Sequence, residues 1–331
     1  MLKKRLSVKN ANAPAGSRQI QLTADSCGCY SGGHYREKNG QWPLEDMPIM
    51  LNDKFIFYDG AMGTMLQAGG HLPHGQRSDF CNFTAPESVK NIHEMYINAG
   101  SDIICTNTFG ANAIALDNTG YSPADVITAG VRIAKEAAKS KAKVALDIGP
   151  IGIMSEPLGE LTFDQAYALF KEQAVIGVKA GADICAIETM SDLTEITAAI
   201  RAVTENTGLP VFATMTFDKT GRTFTGCTPE DFAKTAQKSG ASAIGLNCSL
   251  QPSEMIETAK RIANTSDLPL IIKPNAGLPD SNTGLYNINP AEFAEQMAVF
   301  ANIGNTKIFG GCCGTTPEYI RELKNAFAGH S

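Results

Sequence analysis

The residues in this sequence best equipped for chemistry are Cys312 and Cys313, adjacent thiols set in Gly310-Gly311-Cys312-Cys313-Gly314. Glycines on both sides let the backbone turn sharply and approach a bound group closely, and only on such an irregular turn can neighbouring side chains reach one ion. Cys248, in Gly245-Leu246-Asn247-Cys248-Ser249, is a third thiol at the end of an apolar run. Three sulfur ligands favour a soft ion such as zinc over magnesium, calcium or manganese. They leave one tetrahedral position open, the mark of a catalytic rather than a structural site. A substrate thiol entering that position is deprotonated by the metal, although a free thiol of pKa about 8.5 is mostly protonated at neutral pH. Three protein thiolates keep the bound sulfur electron-rich, which suits attack on an electrophilic carbon. Two other readings of the pair stand beside this one: small buried packing residues, and a vicinal redox pair, which a reducing compartment disfavours.

Two carboxylates have the right surroundings to orient such a substrate. Asp59 in Tyr58-Asp59-Gly60 and Glu188 in Ile187-Glu188-Thr189 end apolar runs, where burial without a partner is costly. Each could pair with a substrate ammonium or cap the backbone that follows it. The N–H groups of the Gly60–Thr64 turn, at a helix start, offer a carboxylate site. Together these groups describe an amino acid bearing a thiol.

From Phe55 onward the chain repeats one pattern eight times: a short apolar run, a polar or Gly-rich turn, then a stretch with helical period. The spacing predicts strands at Phe55–Asp59, Asp102–Thr108, Lys143–Ile148, Ala182–Glu188, Val211–Thr216, Ala243–Cys248, Leu270–Asn275 and Lys307–Gly311. The helices between them include Pro86–Ala99, Pro229–Lys238 and Pro317–Phe327, several opened by Ser or Thr before Pro, with Gly100, Gly181, Gly208 and Gly240 as their stops. Eight such units predict a single (β/α)8 TIM barrel over residues 51–331. A doubly wound sheet would need a switch point and a Gly-rich fingerprint that Asp59-Gly60-Ala61-Met62-Gly63-Thr64 does not match. In a barrel the reactive residues lie at the C-terminal strand ends, a rule that selects Asp59, Asn107, Asp147, Glu188, Cys248, Cys312 and Cys313. Cys105 and Cys185, inside strand runs, read as packing residues.

Residues 1–50 are polar and aperiodic, and read as an extension outside the barrel; Cys27 and Cys29 lack zinc-knuckle spacing. The whole chain of 331 residues is 43% hydrophobic and 19% charged, enough for a large core. A net charge of -6 without basic clusters gives no footprint for nucleic acid. No apolar run spans a bilayer, and Met1-Leu2-Lys3-Lys4-Arg5 is not followed by the apolar stretch of a signal peptide. With nine cysteines, an odd count, the expectation is a cytoplasmic protein whose thiols are buried, reactive or metal-bound rather than disulfide-linked.

These residues resemble the homocysteine S-methyltransferase family, and most closely the homocysteine-binding module of cobalamin-dependent methionine synthases. The resemblance covers Phe55 to Ala328. It is carried by Asp59-Gly60-Ala61-Met62-Gly63-Thr64-Met65-Leu66-Gln67, Thr106-Asn107-Thr108-Phe109-Gly110-Ala111-Asn112, Asp147-Ile148-Gly149-Pro150, Glu188-Thr189-Met190, Gly245-Leu246-Asn247-Cys248-Ser249 and Gly310-Gly311-Cys312-Cys313-Gly314. It implies zinc on Cys248, Cys312 and Cys313, homocysteine bound through its thiolate, and methionine as product. It also implies an amino-acid end held by Asp59, Glu188 and the backbone of Gly60, Ala61 and Met62, with Asn107 in the same substrate-binding group. The five histidines do not lie in the D-x-H-x-x-G motif of a cobalamin domain. The donor is then expected to be either a methyl-corrinoid such as methylcobalamin on a separate protein or a free donor, betaine or S-methylmethionine, and the first-strand motif, which resembles the cobalamin-dependent branch more than the betaine branch, favours the corrinoid. A non-catalytic thiol- or zinc-binding module, and a different thiol acceptor, are the other expectations to test.

Overall fold

The structure is a computed structural model that describes residues 54–73, 75–280 and 286–328; the extension at 1–50, with Cys27 and Cys29, lies outside the described residues. Eight strands follow one another: β1 (Ile56–Phe57), β2 (Ile103–Cys105), β3 (Lys143–Ile148), β4 (Ile184–Met190), β5 (Val211–Met215), β6 (Ala243–Asn247), β7 (Leu270–Lys273) and β8 (Thr306–Phe309). Every pairing is parallel, in the order β1-β8-β7-β6-β5-β4-β3-β2. A parallel bridge between Tyr58 and Ile103 brings β1 against β2 and closes the ring. The fold is a (β/α)8 TIM barrel, and closure excludes the doubly wound alternative.

The helices are α1 (Gly63–Ala68), α2 (Cys81–Thr84), α3 (Pro86–Ala99), α4 (Pro123–Ala138), α5 (Phe163–Ala180), α6 (Leu193–Asn206), α7 (Pro229–Ser239), α8 (Pro252–Ala263), α9 (Pro290–Ala298) and α10 (Pro317–Phe327). Local chemistry sets their ends. Ser122, Thr162, Asp192, Thr228 and Asn289 accept from backbone N–H groups of the first turns of α4, α5, α6, α7 and α9, each cap contributing about 1 kcal/mol. Gly100, Gly181 and Gly240 take the left-handed conformation that closes α3, α5 and α7. Gly208 does not act this way: α6 ends on Thr207 in extended backbone, because the chain runs straight on toward β5.

The strands alternate between two cores. Outward residues such as Leu146, Ile187, Ala213, Leu246 and Ile272 pack in the large cluster shared with the helices. Inward residues Ile56, Ile103, Ala145, Ile184, Phe212, Ala243, Ile271 and Ile308 form an apolar floor within the barrel. Two or four residues further along the same inward series, at the C-terminal ends, stand Tyr58, Cys105, Asp147, Glu188, Thr214, Asn247 and Lys273. A dry lower layer thus supports a polar upper one.

His93, on α3, is fully buried with neither ring nitrogen hydrogen-bonded. Burial pushes its pKa down from 6.5 to about 4. Between those values the unfolded chain holds a proton that the folded one lacks, so stability falls as pH falls, by about 3 kcal/mol in all. His93→Leu is expected to flatten this acid limb and to raise the melting temperature at pH 5 more than at pH 7.5. Thermal unfolding at the two pH values checks it; an unchanged pH dependence would exclude His93 as the titrating group.

Candidate functional site

Cys248, Cys312 and Cys313 offer sulfur atoms that all lie within 4.8 Å of one another, with Cys248 Sγ 3.9 Å from Cys313 Sγ. Two thiolates on one tetrahedral zinc, each at about 2.3 Å, stand roughly 3.8 Å apart, so the donor set fits the ion. The thiols are free rather than disulfide-linked. They meet on loops past the strand ends, not in a strand layer. Cys248 follows β6 and is off the inward series, and it and Ser249 adopt φ of 61° and 60°, a conformation unfavourable for side-chain-bearing residues. That reversal is held by the Cys248 N–H donating to the Lys273 carbonyl at 3.0 Å and the Leu250 N–H donating to the Cys248 carbonyl at 2.7 Å.

The second loop is pinned as closely. The Cys312 N–H donates to the Pro274 carbonyl at 2.8 Å and the Cys313 N–H to Asn275 Oδ1 at 3.1 Å. The flanking glycines are required sterically. Gly314 has φ 81°, and a Cβ there would lie 2.2 Å from the Tyr286 ring; at Gly311 it would lie 2.2 Å from Thr315 Oγ1. Hydrogen bonds from Cys312 and Cys313 push the Cys248 thiol pKa down, while the same bonds push Cys312 up. One negative charge is shared easily among three sulfurs, and ionising all three calls for a cation. Asn247, fully buried, directs its amide N–H groups to Thr189 Oγ1 at 2.8 Å and to Cys312 Sγ at 3.9 Å. Its oxygen accepts from the Thr189 N–H and from Thr214 Oγ1. Asn247 therefore ties the thiol cluster to the turn that carries Glu188.

Beside the thiols lies the upper polar layer. Asp59 is 3% exposed; Oδ2 accepts from the Cys105 N–H at 2.8 Å, and Oδ1 is buried without a partner. Burial pushes its pKa up to about 7, against the opposing pull of Lys273 and the Cys105 N–H. Asp147 is pushed well above the carboxylate range by burial and by Glu188, and its Oδ1 also lacks a partner. Glu188 is ion-paired with Lys273. The N–H groups of Gly60, Ala61 and Met62 have no partner among the described residues. Gly60 itself is held tightly, since a Cβ there would lie 2.4 Å from Thr315 Oγ1. Asn107 is placed differently: its amide donates to the Ser78 carbonyl and to Asn82 Oδ1, which binds it to α2 and the turn just before it.

Residue types alone missed Lys273, Tyr58, Asn247 and Thr214. The signal was inward parity: Lys273 is two residues beyond Ile271 on the strand that reads as buried on both faces. The same parity sharpens Cys105, which reads as an apolar packing residue from its strand run and does pack against the inner core. Its sulfur lies 3.7 Å from Lys273 Nζ and 3.9 Å from Glu188 Oε2, among charged groups in the lumen.

Fold and site define a class: a (β/α)8-barrel protein with three cysteines placed to hold a metal ion at the C-terminal ends of its strands, next to a buried carboxylate layer. Comparison with known proteins narrows this, because the family model described as homocysteine S-methyltransferase matches residues 56–327. The chain belongs to the homocysteine S-methyltransferase family. It is 34% identical over 306 residues to a methionine synthase of Mycobacterium tuberculosis, covering 86% of this chain, and 33% identical to that of Mycobacterium leprae. The chain spans 25% of the length of these relatives. Among solved structures it is similar in fold to the homocysteine methyltransferase MmuM from Escherichia coli. The metallated form matches with a TM-score of 0.69 at 20% identity, over 83% of this chain and 96% of that one. The oxidized form matches with a TM-score of 0.69 at 22% identity, over 82% and 95%.

Proposed function

We propose that this barrel is a zinc-dependent homocysteine S-methyltransferase that forms methionine, with the methyl group drawn from a methyl-corrinoid carried outside the barrel. The observation that supports it most is the convergence of Cys248, Cys312 and Cys313 at the barrel mouth in a chain of this family. Zinc on those sulfurs would supply a thiolate at neutral pH. The chain's own residues do the rest. Asn247 and the Cys312–Thr315 turn hold the sulfurs in place. The Gly60–Met62 N–H groups receive the substrate carboxylate, and buried carboxylates receive its ammonium. The acceptor sulfur is so fixed in one direction, toward the open mouth, where in-line attack on a methyl group gains from orientation.

The rim favours a large donor. The loops after β3 and β5 leave Leu158 61% and Phe224 86% exposed, with Ile153 and Met154 beside them, an apolar lip suited to a partner surface. Zinc-loaded protein incubated with homocysteine and, in turn, methylcobalamin, betaine or S-methylmethionine tests the reading. Methionine is expected from methylcobalamin; its formation only from one of the others reassigns the donor. Failure with all three, despite bound zinc, leaves a thiol- or zinc-binding module. No helix among the described residues is long and apolar enough to cross a membrane.

A further inference from the structure

A tetrahedral zinc on Cys248, Cys312 and Cys313 has room for one acceptor thiol, and every sulfur on it is then a nucleophile. Methylation of a protein sulfur in place of the acceptor turns a ligand into a thioether and ends the site. Burial does not tell the three cysteines apart, since each is partly exposed and their sulfurs lie within 4.8 Å of one another. Protection therefore has to act at the sulfur itself.

At Cys312 the structure shows a group that does so. Asn247, at the end of β6, is fully buried, and hydrogen bonds fix the plane of its amide. Oδ1 accepts from the Thr189 N–H at 2.9 Å and from Thr214 Oγ1 at 2.7 Å. A backbone N–H can only donate, which settles which end of the amide is the oxygen. Nδ2 donates to Thr189 Oγ1 at 2.8 Å and faces Cys312 Sγ at 3.9 Å. That sulfur is the acceptor for the second amide hydrogen, and a buried donor left without a partner is costly. A thiolate draws an N–H more strongly than a neutral thiol does. Electron density shared with the N–H is withdrawn from attack on carbon.

We propose that Asn247 is a positioning residue that acts through Cys312: its N–H group subdues that sulfur as a nucleophile, so that the methyl group goes to the acceptor and not to the ligand. The inference rests on the reading of the barrel as a zinc-dependent methyltransferase and adds to it a choice among sulfurs. The unwanted step is a displacement. A lone pair of the Cys312 thiolate forms the S–CH3 bond, the bond from the methyl carbon to its donor breaks, and the donor leaves with that electron pair. No proton moves, because the sulfur is already ionised.

The experiment exposes the zinc-loaded protein, without homocysteine, to iodomethane, whose iodide is the leaving group, and reads methylation of each cysteine by peptide mass spectrometry beside the zinc content. The readout is the ratio of methylated Cys312 to methylated Cys313 within one sample, which separates an effect on one sulfur from a general loosening of the site. Asn247→Asp keeps the two acceptor contacts and the side-chain volume and removes the donor; it is expected to raise the ratio by about tenfold or more. Thr214→Val takes away one of the bonds that hold the amide and leaves the N–H facing Cys312; it is expected to keep the ratio within about threefold. If Asn247→Asp does not hold zinc, Asn247→Leu replaces it, with the same expected rise. An unchanged ratio in a zinc-loaded Asn247 variant, or an equal rise in Thr214→Val, would overturn the proposal. Loss of zinc from both Asn247 variants would overturn it as well, by making Asn247 a support of the metal centre. A wild type that holds no zinc would overturn the underlying reading and this proposal with it.

Discussion

Cys312→Ala is expected to abolish stoichiometric zinc binding and to lower homocysteine methylation by about a thousandfold or more. Cys312 is the sulfur with the most support: its N–H is held by Pro274, its carbonyl accepts from both the N–H and the hydroxyl of Thr315, and its sulfur faces the Asn247 amide. Alanine keeps the three backbone hydrogen bonds and removes only the sulfur, so folding should survive while the donor set falls to two. Two thiolates hold zinc far less tightly than three, and they also lower the negative charge that keeps an incoming sulfur electron-rich. Metal content after gel filtration, read beside the methylation rate, separates loss of metal from loss of chemistry. A Cys312→Ala protein that retained one zinc per chain and full activity would show that the three-thiol cluster is not the metal centre.

Much of this was legible before any coordinates, for reasons that are physical. Eight apolar runs separated by helical periods call for a parallel sheet covered by helices, the missing Gly-rich fingerprint after the first run favours a closed barrel over a doubly wound sheet, and Pro229 after Thr228 marks a helix start from local chemistry alone. Gly311 and Gly314 betrayed the cysteine loop, because the thiols can converge only where the backbone comes too close to Thr315 and Tyr286 for any side chain. What was not legible is the direction in which strand residues point. Strand β7 reads as uniformly buried, and Lys273 looks like its terminus rather than a lumen cation. Only the register that pairs Asn247 with Lys273 shows that the two share one layer. The route by which Cys248 reaches its partners was equally hidden, since the left-handed backbone at Cys248 and Ser249 is imposed by tertiary contacts, not by residue type.

Asp59→Asn is expected to have opposite effects on stability and on binding. The Asp59 pKa is raised by burial from 3.8 to about 7. Below 3.8 the carboxyl is neutral in both folded and unfolded chains. Between 3.8 and about 7 the folded chain holds a proton that the unfolded one has released, so stability declines as pH rises, and the decline is complete above about 7. A gap of about 3 units corresponds to about 4 kcal/mol. Asparagine cannot ionise, and its oxygen can still accept from the Cys105 N–H. The variant should therefore be more stable than the wild type at pH 8, by about 2 kcal/mol once imperfect pairing of the new amide is allowed for, and no more stable at pH 4. Ligand ammonium reverses the balance, because an ionised Asp59 beside a cation is no longer unpaired. Methionine isolates this step, since it carries the same amino-acid end and no thiol proton. Its affinity for the wild type should rise as pH goes up through about 7, with release of a proton below that value, and should fall by about tenfold or more in Asp59→Asn with no pH dependence left in this range. Calorimetry in two buffers of different ionisation enthalpy counts the protons, and thermal unfolding at pH 4 and pH 8 reads the stability. Binding that releases no proton at pH 6, together with a variant less stable than the wild type at pH 8, would place the ammonium elsewhere and leave Asp59 as a support for Cys105.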